Sequence, residues 1–151
     1  MASLDVTVRG AGIFGLSVAW ACVRRGARVR VIDPGGVGAG ASGGLVGALA
    51  PHVPEAWNAK KAFQLDSLRM AADWWAAVEA AASQPSSYGR TGRLQPLADA
   101  PAVAVARRRA EAARVLWQDA AVWEVVPATG AAWEPRSPSG WLVRDTLSAR
   151  I

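Results

Sequence analysis

The chain has 151 residues, of which 52% are hydrophobic, and it carries a net charge of +5. That length supports one ordinary domain with a real core, and that hydrophobic content excludes a disordered chain. The single cysteine, Cys22, excludes a disulfide framework within the chain and fits a reducing, cytoplasmic compartment. The charge does not mark a nucleic-acid surface. Basic residues are scattered, apart from Arg24-Arg25 and Arg107-Arg108-Arg109, and no basic stripe is interleaved with aromatics. No apolar run reaches the length of a membrane span.

Residues 4–9 form a β-type run, expected as a buried parallel strand whose terminal Arg9 reaches solvent. The run leads straight into Gly10-Ala11-Gly12-Ile13-Phe14-Gly15. Residues 12–25 read as a helix. Its apolar positions (Ile13, Phe14, Leu16, Val18, Trp20, Cys22 and Val23) leave almost no polar face, so it is expected to be covered on most sides. Arg24 and Arg25 suit its negative end, and Gly26 stops it. A second β-type run, residues 27–33, ends on the acid Asp33.

Strand, G-x-G-x-x-G, helix, strand and acid stand here at the spacing of a dinucleotide-binding βαβ unit. Gly10 permits the tight turn out of the strand. Gly12 lets a pyrophosphate approach the backbone, and Gly15 lets the helix press on the sheet. The first turn of the helix offers unpaired N–H groups and a positive dipole end to a diphosphate. Asp33 can accept hydrogen bonds from a ribose, and its charge disfavours a 2′-phosphate. A secretory-signal reading of residues 10–23 fails on Asp5 ahead of the run and on the β pattern behind it.

A second glycine-rich segment follows at residues 34–51, PGGVGAGASGGLVGALAP. Eleven of the chain's 15 glycines lie within the first 47 residues. A nicotinamide enzyme has no obvious need for this second loop. A flavin dinucleotide does, because the chain must return across the pyrophosphate and ribitol with its amides close and the Ser42 hydroxyl in reach. Val37, Leu45, Val46 and Leu49 are expected to anchor the loop, which distinguishes it from a flexible linker.

On these residues the sequence resembles the FAD-binding part of the D-amino-acid oxidase/glycine oxidase superfamily of FAD-dependent oxidoreductases. The resemblance rests on Gly10 to Gly15, on Val31-Ile32-Asp33, and on an A-S-x-x-x-x-G-x-L-x-P pattern matched by Ala41, Ser42, Gly47, Leu49 and Pro51. It implies FAD as cofactor. Carried to the matching positions, the cofactor contacts are Gly10, Gly12, Ile13, Phe14, Gly15, Asp33, Pro34, Gly40, Ala41, Ser42, Gly47, Ala48 and Leu49. Two departures stand out: Asp33 replaces the family's more usual Glu, and Pro34-Gly35 replaces a basic residue that often follows the acid.

The implied fold class is α/β. A Rossmann-like FAD-binding βαβ region over residues 1–85 precedes the beginning of an α+β substrate domain over residues 86–151, as in the first half of a full enzyme. The implied activity is oxidation of an amine or amino acid, with hydride passing from a carbon bound to nitrogen to the flavin. The catalytic residues of such an enzyme lie mainly in the part without a counterpart here, so none is assigned, and the short chain alone is expected to be inactive. Two alternatives remain. One is the FAD-dependent oxidase domain of an enzyme modifying the wobble uridine of transfer RNA, with transfer RNA as partner. The other is a non-catalytic nucleotide-binding module.

Beyond the loop, residues 54–83 read as a long helix, with Pro54 and Glu55 in its first turn and Phe63, Leu68, Ala71, Trp75 and Val78 on one face. Trp57, Lys60 and Lys61, at its start, follow the segment that passes the flavin in the family. Residues 88–97, 122–126 and 141–146 read as strands, residues 100–117 as a helix and residues 137–140 as a turn. Arg107 to Arg109 are expected to be solvated, and Pro127 to break its strand. His52, the only histidine, makes no metal site, and no nucleophile–base pair, C-x-x-C or paired carboxylates are present.

Overall fold

The protein is described by a computed structural model covering residues 3–45, 47–118 and 120–151. Val46, one of the expected loop anchors, lies outside the described residues. The chain divides into two compact units, Met1–Gly47 and Ala48–Ile151.

The first unit is a βαβ element: β1 (Val6–Arg9), α1 (Ile13–Val23) and β2 (Val29–Ile32). The strands pair in parallel, with Val6 opposite Val29 and Arg9 opposite Ile32. Because side chains alternate along a strand, Val6, Val8, Val29 and Val31 are half-buried while Thr7, Arg9, Arg30 and Ile32 are exposed. α1 packs on both strands. It ends as Gly26 enters the left-handed region at φ +85°. There the Gly26 N–H donates to Val23 O at 2.9 Å and the Ala27 N–H to Cys22 O at 3.1 Å, the paired bonds of a Schellman stop. Asp5 ties the approach to β1 to that of β2, accepting from the Arg28 backbone N–H at 2.8 Å and pairing with its guanidinium.

Three expectations fail in this unit. β1 is parallel but not buried, since its residues alternate between half-buried and exposed with β2 alone paired to it. α1 is not covered on most sides. Only Ala19 is buried on it, and Ile13, Phe14, Val18 and Val23 are exposed, Phe14 by 88%. The helix is apolar all round, but two strands cover only one side of it. The loop anchors Val37 and Leu45 are likewise exposed, so hydrogen bonds rather than apolar burial hold that segment.

The second unit holds β3 (Ala48–Leu49), α2 (Ala59–Ala82), β4 (Arg93–Pro96), α3 (Ala100–Leu116), β5 (Trp123–Pro127), β6 (Trp141–Asp145) and β7 (Ala149–Arg150). β4, β6 and β5 form an antiparallel sheet in that spatial order, and β3 pairs with β7. α3 packs against β5. The core gathers Leu65 and Leu68 from α2, Val103, Ala106 and Ala113 from α3, Leu97, Trp123, Val143 and Leu147, and the fully buried Trp117. Asp145 is also buried, its carboxylate accepting from the Ser148 N–H at 2.7 Å and Oγ at 3.0 Å and from Arg93 Nε at 3.0 Å.

α2 begins at Ala59 rather than in the fifties. Pro54 and Glu55 precede it, and Asn58 caps it by accepting the Lys61 N–H at 3.1 Å. Its buried face runs through Leu65, Leu68 and Ala71, whereas Phe63 is exposed. Asp99 caps α3 in the same way through the Ala102 N–H at 2.8 Å. Arg107 and Arg108 are exposed as expected, Arg107 lying over the Trp141 ring at 4.9 Å, whereas Arg109 is half-buried and pairs with Glu55. Pro127 closes β5 instead of breaking it, opposite Trp141 at the end of the ladder.

Candidate dinucleotide site

The site is built where β1 turns into α1. Gly10 sits at φ +104°, a conformation that L side chains rarely adopt, and its N–H donates to Ile32 O at 2.8 Å. Gly15 lies against that turn. A Cβ on Gly15 would stand 1.9 Å from Gly10 O, a backbone atom with no freedom to withdraw. The sequence assigned Gly15 to close helix–sheet packing, and the geometry gives it that role. Gly12 caps α1 without a side chain, and Ile13 and Phe14 open the first turn.

Asp33 follows β2 and faces the same turn. Its Oδ2 accepts the Ala11 N–H at 2.9 Å and its Oδ1 accepts the Gly35 N–H at 2.8 Å. These backbone donors hold the carboxyl below the usual aspartate range, the Ala11 N–H contributing most. Each carboxylate oxygen has a second lone pair. Asp33 can therefore bind the two turns together and still accept from a ribose hydroxyl.

The second glycine segment folds back over the start of α1. The Gly38 N–H donates to Ala11 O at 2.9 Å. Gly40 precedes a short 3-10 turn, Ala41–Gly43, and from it Ser42 Oγ accepts the Ile13 N–H at 2.9 Å. Gly43 crosses Gly38 so closely that a Cβ on it would lie 2.2 Å from Gly38 O.

Gly10, Gly12, Ile13, Gly15, Asp33, Gly40, Ala41 and Ser42 are thus gathered within the first unit around one turn. Phe14 stands in the same helical turn and Pro34 beside Asp33, both exposed. Gly47 ends the first unit. Ala48 and Leu49 belong to the second, where they form β3 opposite Arg150 and Ala149. The sequence reading missed Ala11, Gly35, Gly38 and Gly43. Gly38 and Gly43 were legible as two glycines five apart. Ala11 acts through its backbone, which no side-chain pattern reveals.

The segment leading into α2 is pinned by its own unit. The His52 N–H donates to Gln64 Oε1 at 2.8 Å, and Lys61 Nζ donates to Val53 O at 3.4 Å and to Glu55 O. Lys61 is therefore occupied by backbone carbonyls. Among the described residues no cluster of His, Cys, Asp or Glu could hold a metal ion, and no helix is long and apolar enough to cross a membrane.

A left-handed Gly10, a Gly12 with no side chain of its own, the positive end of α1 and an acid following β2 together suit a dinucleotide, although the Ile13 N–H, expected to be unpaired, is taken by Ser42 Oγ. The cradle accepts one because a Cβ on Gly10 or on Gly40 would meet nothing within 4 Å, so the space beside both glycines is open. The family comparison agrees: the model of the DAO family, FAD dependent oxidoreductase, matches residues 5–148, and the chain belongs to that family. FAD is the family's cofactor.

The relatives extend well beyond this chain. A protein named as a thiamine biosynthesis oxidoreductase, ThiO, of Rhizobium etli is 45% identical over 79 residues, covering 50% of this chain and 23% of its own. Among solved structures, the L-amino acid deaminase of Proteus myxofaciens, in complex with anthranilate, matches with a TM-score of 0.78 at 17% identity, over 100% of this chain and 34% of its own. The L-amino acid deaminase of Proteus vulgaris matches with a TM-score of 0.72 at 18% identity, over 97% of this chain and 34% of its own. The mixed α/β fold is shared with these enzymes. The chain spans about a third of their length, less than the half expected from domain size.

Proposed function

We propose that the chain supplies the FAD-binding part of an oxidoreductase acting on the C–N bond of a small amine or amino acid. In this reading residues 1–85 form a Rossmann-like cofactor region and residues 86–151 begin the substrate region. The observation that carries it is the second glycine segment, laid across the start of α1 through Ser42 and Gly38. A nicotinamide site needs only the first glycine turn, whereas a flavin dinucleotide calls for this return of the chain.

Gly10, Gly12 and Ile13 would face the diphosphate, Asp33 a ribose, and Gly40 to Ser42 the phosphate or ribitol. A bound flavin supplies the acceptor for a hydride. This chain's own residues bind and orient: Asp33 fixes the turn through the Ala11 and Gly35 N–H groups. The names of the relatives, amino acid deaminases and a thiamine biosynthesis oxidoreductase, support an amino acid as substrate. A cytoplasmic location accords with the single unpaired Cys22.

The test is an FAD titration of the purified chain, followed by flavin fluorescence quenching, with NAD as comparison and Gly12→Asp as control. Selective FAD binding that the variant loses is the expected result. NAD binding alone would overturn the reading.

A further inference from the structure

Gly12 is bare for a reason beyond the approach of a ligand. A Cβ built on it meets Ser42 Oγ at 3.0 Å, and the same Oγ accepts the N–H of the next residue, Ile13, at 2.9 Å. The serine hydroxyl therefore occupies the space that Gly12 leaves open.

We propose that Ser42 is a positioning residue of the dinucleotide site, and that Gly12 lacks a side chain partly to admit its hydroxyl. At the near end of the second glycine segment the Asp33 carboxylate joins Gly35 to Ala11; beyond it, Ser42 is the only side chain among the described hydrogen bonds that joins residues 36–45 to the start of α1. The other join, the Gly38 N–H to Ala11 O at 2.9 Å, is backbone to backbone. The segment is otherwise short of anchors, since Val37 and Leu45 are exposed and Ala39 to Gly44 are exposed throughout. One hydroxyl thus sets where residues 40–44 lie relative to the glycine turn. Because its oxygen already accepts from Ile13, its own proton is directed elsewhere and is free to be donated.

The binding part of this inference rests on the dinucleotide reading above; the clasp itself does not. Two measurements separate them. The first needs no ligand: residue-resolved amide hydrogen exchange of the intact chain. Ile13 is expected to be protected in the parent chain and in Ser42→Thr, and to exchange about tenfold faster in Ser42→Ala. An Ile13 amide at the free-peptide rate in the parent, or unchanged in Ser42→Ala, would overturn the clasp.

The second is a double-mutant cycle read by FAD titration. Ser42→Ala and Gly12→Ala are each expected to weaken binding about tenfold, and Ser42→Thr by no more than about twofold. In the double variant the loss should match the worse single variant, because the alanine methyl no longer meets the hydroxyl. Multiplying losses would mean that Gly12 is bare only for the ligand and would sink the positioning role. A parent chain that is protected at Ile13 yet binds no FAD would leave the clasp standing, remove its role in binding, and count against the function proposed above.

Discussion

Of the described residues in the unit Met1–Gly47, only Ala11 and Ala19 are buried, whereas the unit Ala48–Ile151 wholly encloses Trp117, Leu142 and Leu147. The second unit is held as most domains are, by removing apolar side chains from water. The first is held by backbone: a parallel pair of four residues each, a Schellman stop, and glycines close enough that a methyl group would collide. A site that must bring main-chain amides to a ligand cannot fill the same space with side chains. The cost is an apolar helix left half uncovered.

The largest effect should come from the enclosed unit. Trp117→Ala would open a cavity at the end of α3 and is expected to destabilise that unit by about 3–5 kcal/mol. The near-UV circular dichroism of its tryptophans reports the loss. An undiminished signal would mean that the unit is less tightly packed than its burial indicates.

Gly15→Ala tests the opposite kind of cohesion. The added methyl meets Gly10 O, so the turn or the helix must move, at a cost of about 1–3 kcal/mol for an overpacked site. Because the displaced atoms are those of the glycine turn, FAD binding should fall more than a hundredfold. The near-UV signal of the second unit should persist. Equal damage to both readouts would erase the distinction between the two regions.

How far the sequence led follows the same division. The glycine turn was legible because each glycine answers a steric demand fixed by local chain geometry. The extent to which α1 is covered was not, because it depends on what surrounds the helix rather than on its own pattern. β3 and β7 are two residues each and pair across about 100 positions, so neither carries a periodicity of its own. The start of α2 was mistaken because Pro54 and Glu55 are good first-turn residues, while the cap that decides the matter is the single Asn58. Ser42 was legible as a polar residue in the loop, but its partner in the fold, the Ile13 amide, lies 29 residues away.

Acid should reach the first unit through Asp33. Its folded pKa is lowered by the Ala11 and Gly35 N–H groups, so its contribution is present above the unfolded value of about 3.9. That contribution disappears as pH falls through the lower, folded value. Exchange at Ala11 and Gly35 should therefore accelerate, once the intrinsic rate is removed, as pH falls below about 4. In Asp33→Asn the two amides should already be less protected at neutral pH and show no such step. A step that persists in the variant would have to come from another carboxyl.

The smallest effect separates a stabilising cap from a functional one. Asn58 and Ser42 both accept a backbone N–H at the start of a helix, at 3.1 and 2.9 Å. Asn58 is three residues from its partner and closes only its own helix turn. Ser42 spans 29 residues and fixes a loop. Asn58→Ala should therefore lower the stability of the second unit by about 1 kcal/mol, as a lost N-cap does, and leave FAD affinity within about twofold. Denaturant unfolding followed by tryptophan fluorescence measures the first, and flavin titration the second. If Asn58→Ala weakened FAD binding as much as Ser42→Ala, the two caps would be equivalent. The loss in the Ser42 variant would then reflect general stability rather than the placement of the glycine loop.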